Sequence, residues 1–267
     1  MDNEIAARIQ QWQQPPFDSE TIHEINQLVQ QNNETELYER FYTNLEFGTG
    51  GLRGIIGAGT NRMNIYTVGM ATQGLANYII KQGAQDRGVA IAYDSRHFSP
   101  EFADEAALCL NANGIRTYLF SSLRPTPELS FAVRRLGCTA GIVVTASHNP
   151  PEYNGYKVYW DDGAQITAPK DTDIISEVKN VTDYHDVKTV GKEQAIADRL
   201  YHVIGEEIDD AYIGELKKLI IHPEIIREVA NDIRIVYTPL HGTGNLPVRR
   251  ILSELGFKHV YVVPEQE

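Results

Sequence analysis

Hydrophobic positions divide this chain into a helical opening and a long alternation of short apolar runs with amphipathic segments. Residues 1 to about 45 hold no strand-like run. Asp18 and Ser19 precede a segment that places Ile22, Ile25, Leu28 and Val29 on one helical face. Asn33 followed by Glu36 resembles a capping box and predicts another helix. Because these helices come before any strand, 1–45 reads as an added N-terminal segment.

The alternation then begins. Leu52 to Ile56 is a short apolar run and predicts a strand. Asn64 to Gln82 carries Ile65, Val68, Leu75 and Ile79 at helical spacing. Gly88 to Tyr93 (GVAIAY) is continuously apolar and stops at Asp94, the pattern of a strand buried on both faces. Ser99-Pro100-Glu101 predicts an N-cap, a proline at the first helical position and an acid in the first turn. Asn113-Gly114 closes that helix. Arg116 to Phe120 predicts the next strand, Thr126-Pro127-Glu128 repeats the start signal, and Gly137 ends the second helix. Ala140 to Thr145 (AGIVVT) is another buried strand. Gly155 to Trp160 and Gln165 to Thr167 bracket Asp161-Asp162-Gly163 as a hairpin.

Strands alternating with helices of this length predict an α/β layered fold. The hairpin makes the sheet mixed. The expectation is a three-layer αβα domain over 46–200, with the polar stretch Asn180 to Ala197 as the boundary, followed by the start of a second α/β domain over 201–267. In that second unit Glu206 to Ile220 and Leu246 to Leu255 read as helices, and Ile233 to Tyr237 and His259 to Val263 as strands. A single strand–helix–strand crossover has two unprotected edges and little core. The second domain is therefore expected to be cut short.

Composition narrows the classes. Hydrophobic residues make up 42% and charged residues 22%, ordinary globular values that exclude a disordered or fibrous chain. No apolar run is long enough for a membrane span, and the polar, acidic N-terminus lacks the parts of a signal peptide. A cytoplasmic protein is expected. The two cysteines, Cys109 and Cys138, make no disulfide framework or metal spacing and read as small buried hydrophobes. A net charge of −12 argues against nucleic acid as a partner. It leaves room for a small phosphorylated ligand, because a few placed cations can dominate the field of a cleft.

The chemistry concentrates at Thr145-Ala146-Ser147-His148-Asn149-Pro150-Pro151, which leaves the C-terminal end of a predicted buried strand, where ligands of open α/β sheets bind. Asn149-Pro150-Pro151 continues neither a helix nor a sheet ladder, so the loop is stiff and turned outward. A rigid exposed hydroxyl is what a covalent phosphoryl carrier needs. Lys157 follows and can return to the same cleft. A serine-hydrolase reading is weaker: the serine lacks the G-x-S-x-G elbow, and no Asp–His pair supports a triad.

Here the sequence resembles a known family. TASHNPPEYNGYKVY is similar to the phosphoserine loop of the α-D-phosphohexomutases, the phosphoglucomutase and phosphomannomutase family. FGTGGLRG (47–54) resembles its first signature, Tyr93-Asp94-Ser95-Arg96 its Asp-x-Arg segment, and Pro125-Thr126-Pro127 its helix start. Thr238 to Gly244 (TPLHGTG) resembles the opening loop of its second domain. The long N-terminal helices and the wording EFGTGGLRG look most like the phosphopentomutase-like subgroup.

The resemblance implies a phosphosugar mutase interconverting sugar 1-phosphates with 6-phosphates, or 5-phosphates of pentoses, through a phosphoserine and a bisphosphate intermediate. Ser147 would be the phosphoryl carrier. A Mg²⁺ bound to Ser147 through its phosphate would offset the roughly −1.5 to −2 charge of a phosphoserine. A sugar 1,6-bisphosphate would serve as activator and intermediate. Lys157 would handle a proton or stabilise the transferred group. His148 is open to two roles, a base or a support of the serine loop. Arg53 would hold a phosphate or orient that loop, since guanidinium binds phosphate oxygens bidentately. Asp94 and Arg96 read more simply as an internal ion pair that pins a loop. His241, in a glycine-rich turn before a helix, is equally open to anion contact or a structural role.

The sequence departs from the family in one respect. The family's Asp-x-Asp-x-Asp-Arg metal loop, sugar-recognition loop and distal phosphate loop do not occur in these 267 residues. The expected partners are therefore small sugar phosphates and the missing C-terminal domains of the same polypeptide, with little turnover by this part alone. A non-catalytic sugar-phosphate binding or regulatory module is the competing class.

Overall fold

The structure is a computed structural model and describes residues 2–267. Three helices open the chain: α1 (Asn3–Gln11), α2 (Ser19–Gln30) and α3 (Glu34–Phe41). Asp18 and Asn33 cap the second and third by accepting from backbone N–H groups two or three residues on. There follow β1 (Gly51–Ile55), α4 (Ile65–Lys81), β2 (Val89–Tyr93), α5 (Ser99–Ala112), β3 (Thr117–Phe120), α6 (Thr126–Leu136), β4 (Ala140–Val144) and β5 (Tyr153–Trp160). After these come α7 (Lys170–Asn180), α8 (Lys192–Ala197), β6 (Tyr201–Ile204), α9 (Glu206–Lys218), α10 (Pro223–Val229), β7 (Arg234–Tyr237), α11 (Asn245–Glu254) and β8 (His259–Val262).

The first six strands form one mixed sheet in the order β1-β5-β4-β2-β3-β6. β5 runs antiparallel to both its neighbours, while β4, β2, β3 and β6 are mutually parallel. The continuous apolar runs are explained by burial on both faces. Ile91, Ile142, Val144, Tyr156 and Val158 pack with Leu75, Ile79, Phe102 and Leu110 of α4 and α5. On the opposite face Ala90, Ala92 and Val143 meet Leu129 and Val133 of α6 and Ile208 of α9. This is the expected three-layer α/β/α arrangement. Both cysteines are buried. The N-terminal helices add their own cluster, in which Trp12 stacks on Phe17 with centroids 4.2 Å apart and Tyr66 of α4 joins edge-on.

Two sequence expectations need correcting. The sequence predicts Ser99 and Thr126 as caps of α5 and α6, but Phe98 and Pro125 occupy the cap positions, so both hydroxyl residues lie inside the helices. Ser99 cannot cap because its Oγ donates to Asp94 Oδ1 at 2.8 Å and accepts from Asn154 Nδ2 at 2.9 Å. The expected boundary at 200/201 also falls too early. β6 pairs with β3, Tyr201 opposite Thr117 and Ile204 opposite Phe120, so the first sheet runs to residue 204. The helix after it, α9, packs on α6 of that same layer. The polar stretch before β6 reads as a linker because it buries little beyond Val181 and Ala195. β7 and β8 pair in parallel around α11, the single crossover expected of the second unit.

A pair of carboxyl groups, Glu128 buried and Asp209 half-buried, joins α6 to α9. Glu128 is 1% exposed, and its Oε2 lacks a hydrogen-bond partner. Asp209 beside it is gripped by Arg124, Nε to Oδ1 and Nη2 to Oδ2, both at 2.8 Å. Burial first, and then the Asp209 carboxylate, push Glu128 up to about 8, against the pull of Arg124 and Arg250. The folded state thus keeps a proton that the unfolded chain releases near its ordinary value of 4.5. Stability is full below that value and declines as pH rises towards 8. Thermal melts of wild type should show this decline between pH 5 and about 8, and Glu128→Gln, which cannot ionise, should flatten it. Parallel pH profiles for the two proteins would exclude Glu128 as the titrating group.

Candidate active site

From β2 the chain passes to β3 on one side, then crosses back to place β4 on the other. The loops after β2 and β4 therefore meet at the carboxyl ends of adjacent parallel strands, where the direction of winding reverses and ligands of open α/β sheets lodge. The Ser147 loop follows β4. It is held from within: Thr145 N–H donates to Gly155 O at 2.9 Å, Ser147 N–H to Thr145 Oγ1 at 3.0 Å, Asn149 N–H to Ala146 O at 3.1 Å and Tyr153 N–H to Pro150 O at 3.1 Å. Ser147 sits at φ 57°, in the left-handed region. A residue with a Cβ pays roughly 1–2 kcal/mol for that conformation, so the surrounding structure must hold it there. The Ser147 side chain is exposed, and its Oγ lies 3.3 Å from Nδ1 of an equally exposed His148.

The loop after β2 supplies the holding group. Asp94 N–H donates to Val144 O at 3.1 Å. Its Oδ1 accepts from Arg96 N–H at 3.0 Å and Ser99 Oγ at 2.8 Å. The Arg96 guanidinium then reaches across. Nη1 donates to Pro150 O at 2.7 Å and Tyr153 O at 2.9 Å, and Nη2 to Ser147 O at 3.0 Å and Asn149 O at 2.6 Å. Nε faces Asp94 Oδ2 at 3.6 Å. The ion pair expected from Asp-x-Arg is present, and the loop it pins is the one bearing Ser147. Asn154, fully buried, closes the frame by donating to His97 O and Ser99 Oγ, each at 2.9 Å. Sequence reasoning passed over Asn154, whose signal was a polar residue inside the NGYKVY strand.

Arg53 and Lys157 come together on the edge of the sheet. Gly51 pairs with Lys157 and Arg53 with Gly155, so the two cations are diagonal neighbours on one face. They line a shared cleft of about 570 Å³ with Gly48–Leu52, Gln165 and, from the end of the N-terminal segment, Tyr42 and Asn44. Arg53 is exposed and Lys157 half-buried. Burial chiefly, and the Arg53 charge second, hold Lys157 below its ordinary value of 10.5, with Asp94 opposing. Ser147 and His148 do not line this cleft. They stand beside it, two and three residues past Thr145, which is level with Gly155 and Arg53 across β5. His241 is exposed in the second unit, in a turn closed by Gly242 N–H to Pro239 O at 2.7 Å.

Among the described residues no three His, Cys, Asp or Glu side chains converge as a metal site. A phosphate on Ser147 would offer Mg²⁺ one ligand, whereas the ion needs several oxygens. Asp94, at the end of the adjacent strand, is already engaged by Arg96 and Ser99. These residues by themselves do not make a magnesium site. Among the described residues no helix is long and apolar enough to cross a membrane.

A six-stranded α/β/α layer with an exposed serine at its switch point and paired cations on the adjoining strands defines a domain that can present and stabilise an anion at its rim. The family model for phosphoglucomutase/phosphomannomutase, alpha/beta/alpha domain I, matches residues 44–185, and the chain belongs to this family. It is 36% identical to the phosphopentomutase of Pongo abelii, over 100% of this chain and 44% of that protein. To the phosphoglucomutase of Staphylococcus haemolyticus it is 38% identical, over 85% of this chain and 40% of the relative. Its fold matches a solved Thermus thermophilus protein described as a phosphomannomutase, with a TM-score of 0.67 at 24% identity, over 84% of this chain and 46% of that one. The chain spans less than half the length of each of these relatives.

Proposed function

We propose that this chain carries the phosphoryl-transferring serine of a phosphosugar mutase, acting on sugar monophosphates with Ser147 as carrier. One observation above all supports this reading. Ser147 is exposed at the switch point and held through its backbone N–H and C=O, which leaves its hydroxyl, in contact only with His148 at 3.3 Å, available to bear a phosphoryl group.

In the first half-reaction the Ser147 Oγ–P bond breaks as a sugar hydroxyl oxygen bonds to phosphorus. The hydroxyl proton leaves to a base, and the serine oxygen regains a proton. After the bisphosphate turns over, its other phosphoryl group returns to Ser147, and the protons move in reverse. Such transfer depends on in-line placement and neutralised charge more than on covalent novelty. Lys157 is suited to the proton, because its lowered pKa makes release from Nζ easier than from an ordinary lysine. Arg53, exposed beside it, supplies a planar donor fork for phosphate oxygens. His148, in reach of the serine oxygen, supports its orientation. Mutase turnover is proposed for the protein at the length of its relatives, with phosphopentose and phosphohexose as the candidate substrate classes carried by those relatives' names.

Incubation with glucose 1,6-bisphosphate followed by mass-spectrometric mapping should place one phosphoryl group on Ser147. A phosphoryl group on another residue, or none, would count against the carrier assignment. Saturable sugar-phosphate binding that survives Ser147→Ala, without labelling of the wild type, would instead identify a binding module.

A further inference from the structure

We infer that Arg96 is a positioning residue that sets the attitude of the Ser147 hydroxyl through the backbone of its loop and takes no part in holding substrate phosphate. The inference deepens the mutase reading and rests on it for its kinetic consequence. Its structural content is independent of that reading.

A guanidinium has five N–H donors. In Arg96 four are spent on the carbonyls of Ser147, Asn149, Pro150 and Tyr153, and the fifth points at Asp94. No donor is left for a ligand. Arg53 differs in kind, being exposed on a cleft. Two arginines at sequence-similar places, each just after or within a short strand, thus have opposite duties.

The four carbonyls are spread along the loop from residue 147 to residue 153. They span both arms of the loop, and together with Arg96 they close a ring across residues 51 to 57 apart from it in sequence. Ser147 is gripped on both sides, its N–H by Thr145 Oγ1 and its C=O by Arg96 Nη2. That grip is what maintains φ 57° in a non-glycine residue. The partner of the guanidinium is itself fixed, since Asp94 is tied to Ser99 and Ser99 to the buried Asn154. A lysine could satisfy one or two of these carbonyls but could not fork onto four.

A phosphoryl carrier must meet its acceptor in line in both half-reactions, and displacement by about an ångström can cost about a hundredfold in rate. Loosening the clamp should therefore slow transfer without weakening capture of the sugar phosphate, which falls to other residues.

The test uses the full chain, glucose 1,6-bisphosphate as phosphoryl donor, and amide hydrogen exchange on the same proteins. With Arg96→Ala, the labelling rate of Ser147 should fall at least tenfold, while the bisphosphate concentration giving half-maximal rate stays within twofold. Arg96→Lys should recover only a minor part. Free guanidinium should restore part of the Arg96→Ala rate and nothing in wild type. The amides of Ser147, Asn149 and Tyr153, each hydrogen-bonded within the loop, should exchange faster in Arg96→Ala, with far-UV circular dichroism unchanged. An unchanged labelling rate with unchanged exchange would overturn the inference, as would a rise in half-maximal concentration at constant maximal rate, which marks a phosphate ligand. If wild type takes no label at Ser147, the mutase reading fails, and the clamp is then judged by exchange alone: faster loop exchange upholds it and equal exchange refutes it.

Discussion

Ser147→Ala should leave a folded protein that takes up no phosphoryl group from glucose 1,6-bisphosphate, and the mutase turnover proposed for the protein at the length of its relatives should fall on the order of a thousandfold or more, as for loss of other covalent nucleophiles. The fold should survive because the Ser147 side chain is exposed and makes one long contact, to His148 at 3.3 Å. The loop is held by main-chain groups and by Arg96, which alanine leaves in place. Ser147→Gly sharpens the test. Glycine adopts φ 57° without the Cβ penalty, so this variant should melt no lower than Ser147→Ala while being equally unable to accept phosphate. Near-normal labelling or turnover in either variant would remove Ser147 from the mechanism, whatever the resemblance of its loop.

The largest structural effect is expected at Gly51. A Cβ built there lies 1.7 Å from Tyr156 O and 3.0 Å from Lys157 Cα, at φ 146°. Both obstacles are backbone of β5, so no side-chain rotation relieves them. Gly51→Ala must push β1 off β5, breaking the ladder that sets Arg53 beside Gly155 and Lys157. Destabilisation of about 4 kcal/mol or more is expected, which for a chain of this size lowers the melting temperature by roughly 10 °C. Gly83 is the control. It also has positive φ, 63°, but a Cβ there meets nothing within 4 Å, so Gly83→Ala should cost only about 1 kcal/mol. Calorimetry on the two variants decides the matter; equal melting temperatures would show that the β1–β5 edge yields and that Arg53 is not rigidly placed.

Much of the layer was legible in the chain because burial on both faces leaves a simple trace. GVAIAY and AGIVVT are strands β2 and β4 in the structure. Local capping was legible where the cap is purely local, as at Asp18 and Asn33. It failed at Ser99, whose hydroxyl is spent on Asn154, 55 residues away. β6 was missed because only Tyr201 and Ile204 of its four residues are buried, a pattern too short to separate from the polar stretch before it. The helix α10 also escaped, being seven residues with none buried.

At the site the same line separates local from distant causes. The order of residues alone determined that a stiff, proline-bounded loop would carry a serine off the end of a buried strand, since that follows from backbone chemistry within a few residues. It also put Lys157 a few residues past that loop, whereas Arg53 was expected at the cleft only from the family resemblance and is brought there by the pairing of β1 with β5. Which arginine faces a ligand and which faces the protein was decided only by tertiary structure. A guanidinium donates equally well to a phosphate and to a peptide carbonyl. Only when β2 and β4 lie side by side do four carbonyls from one loop converge on Arg96 and consume its donors, leaving Arg53 the arginine exposed on the cleft.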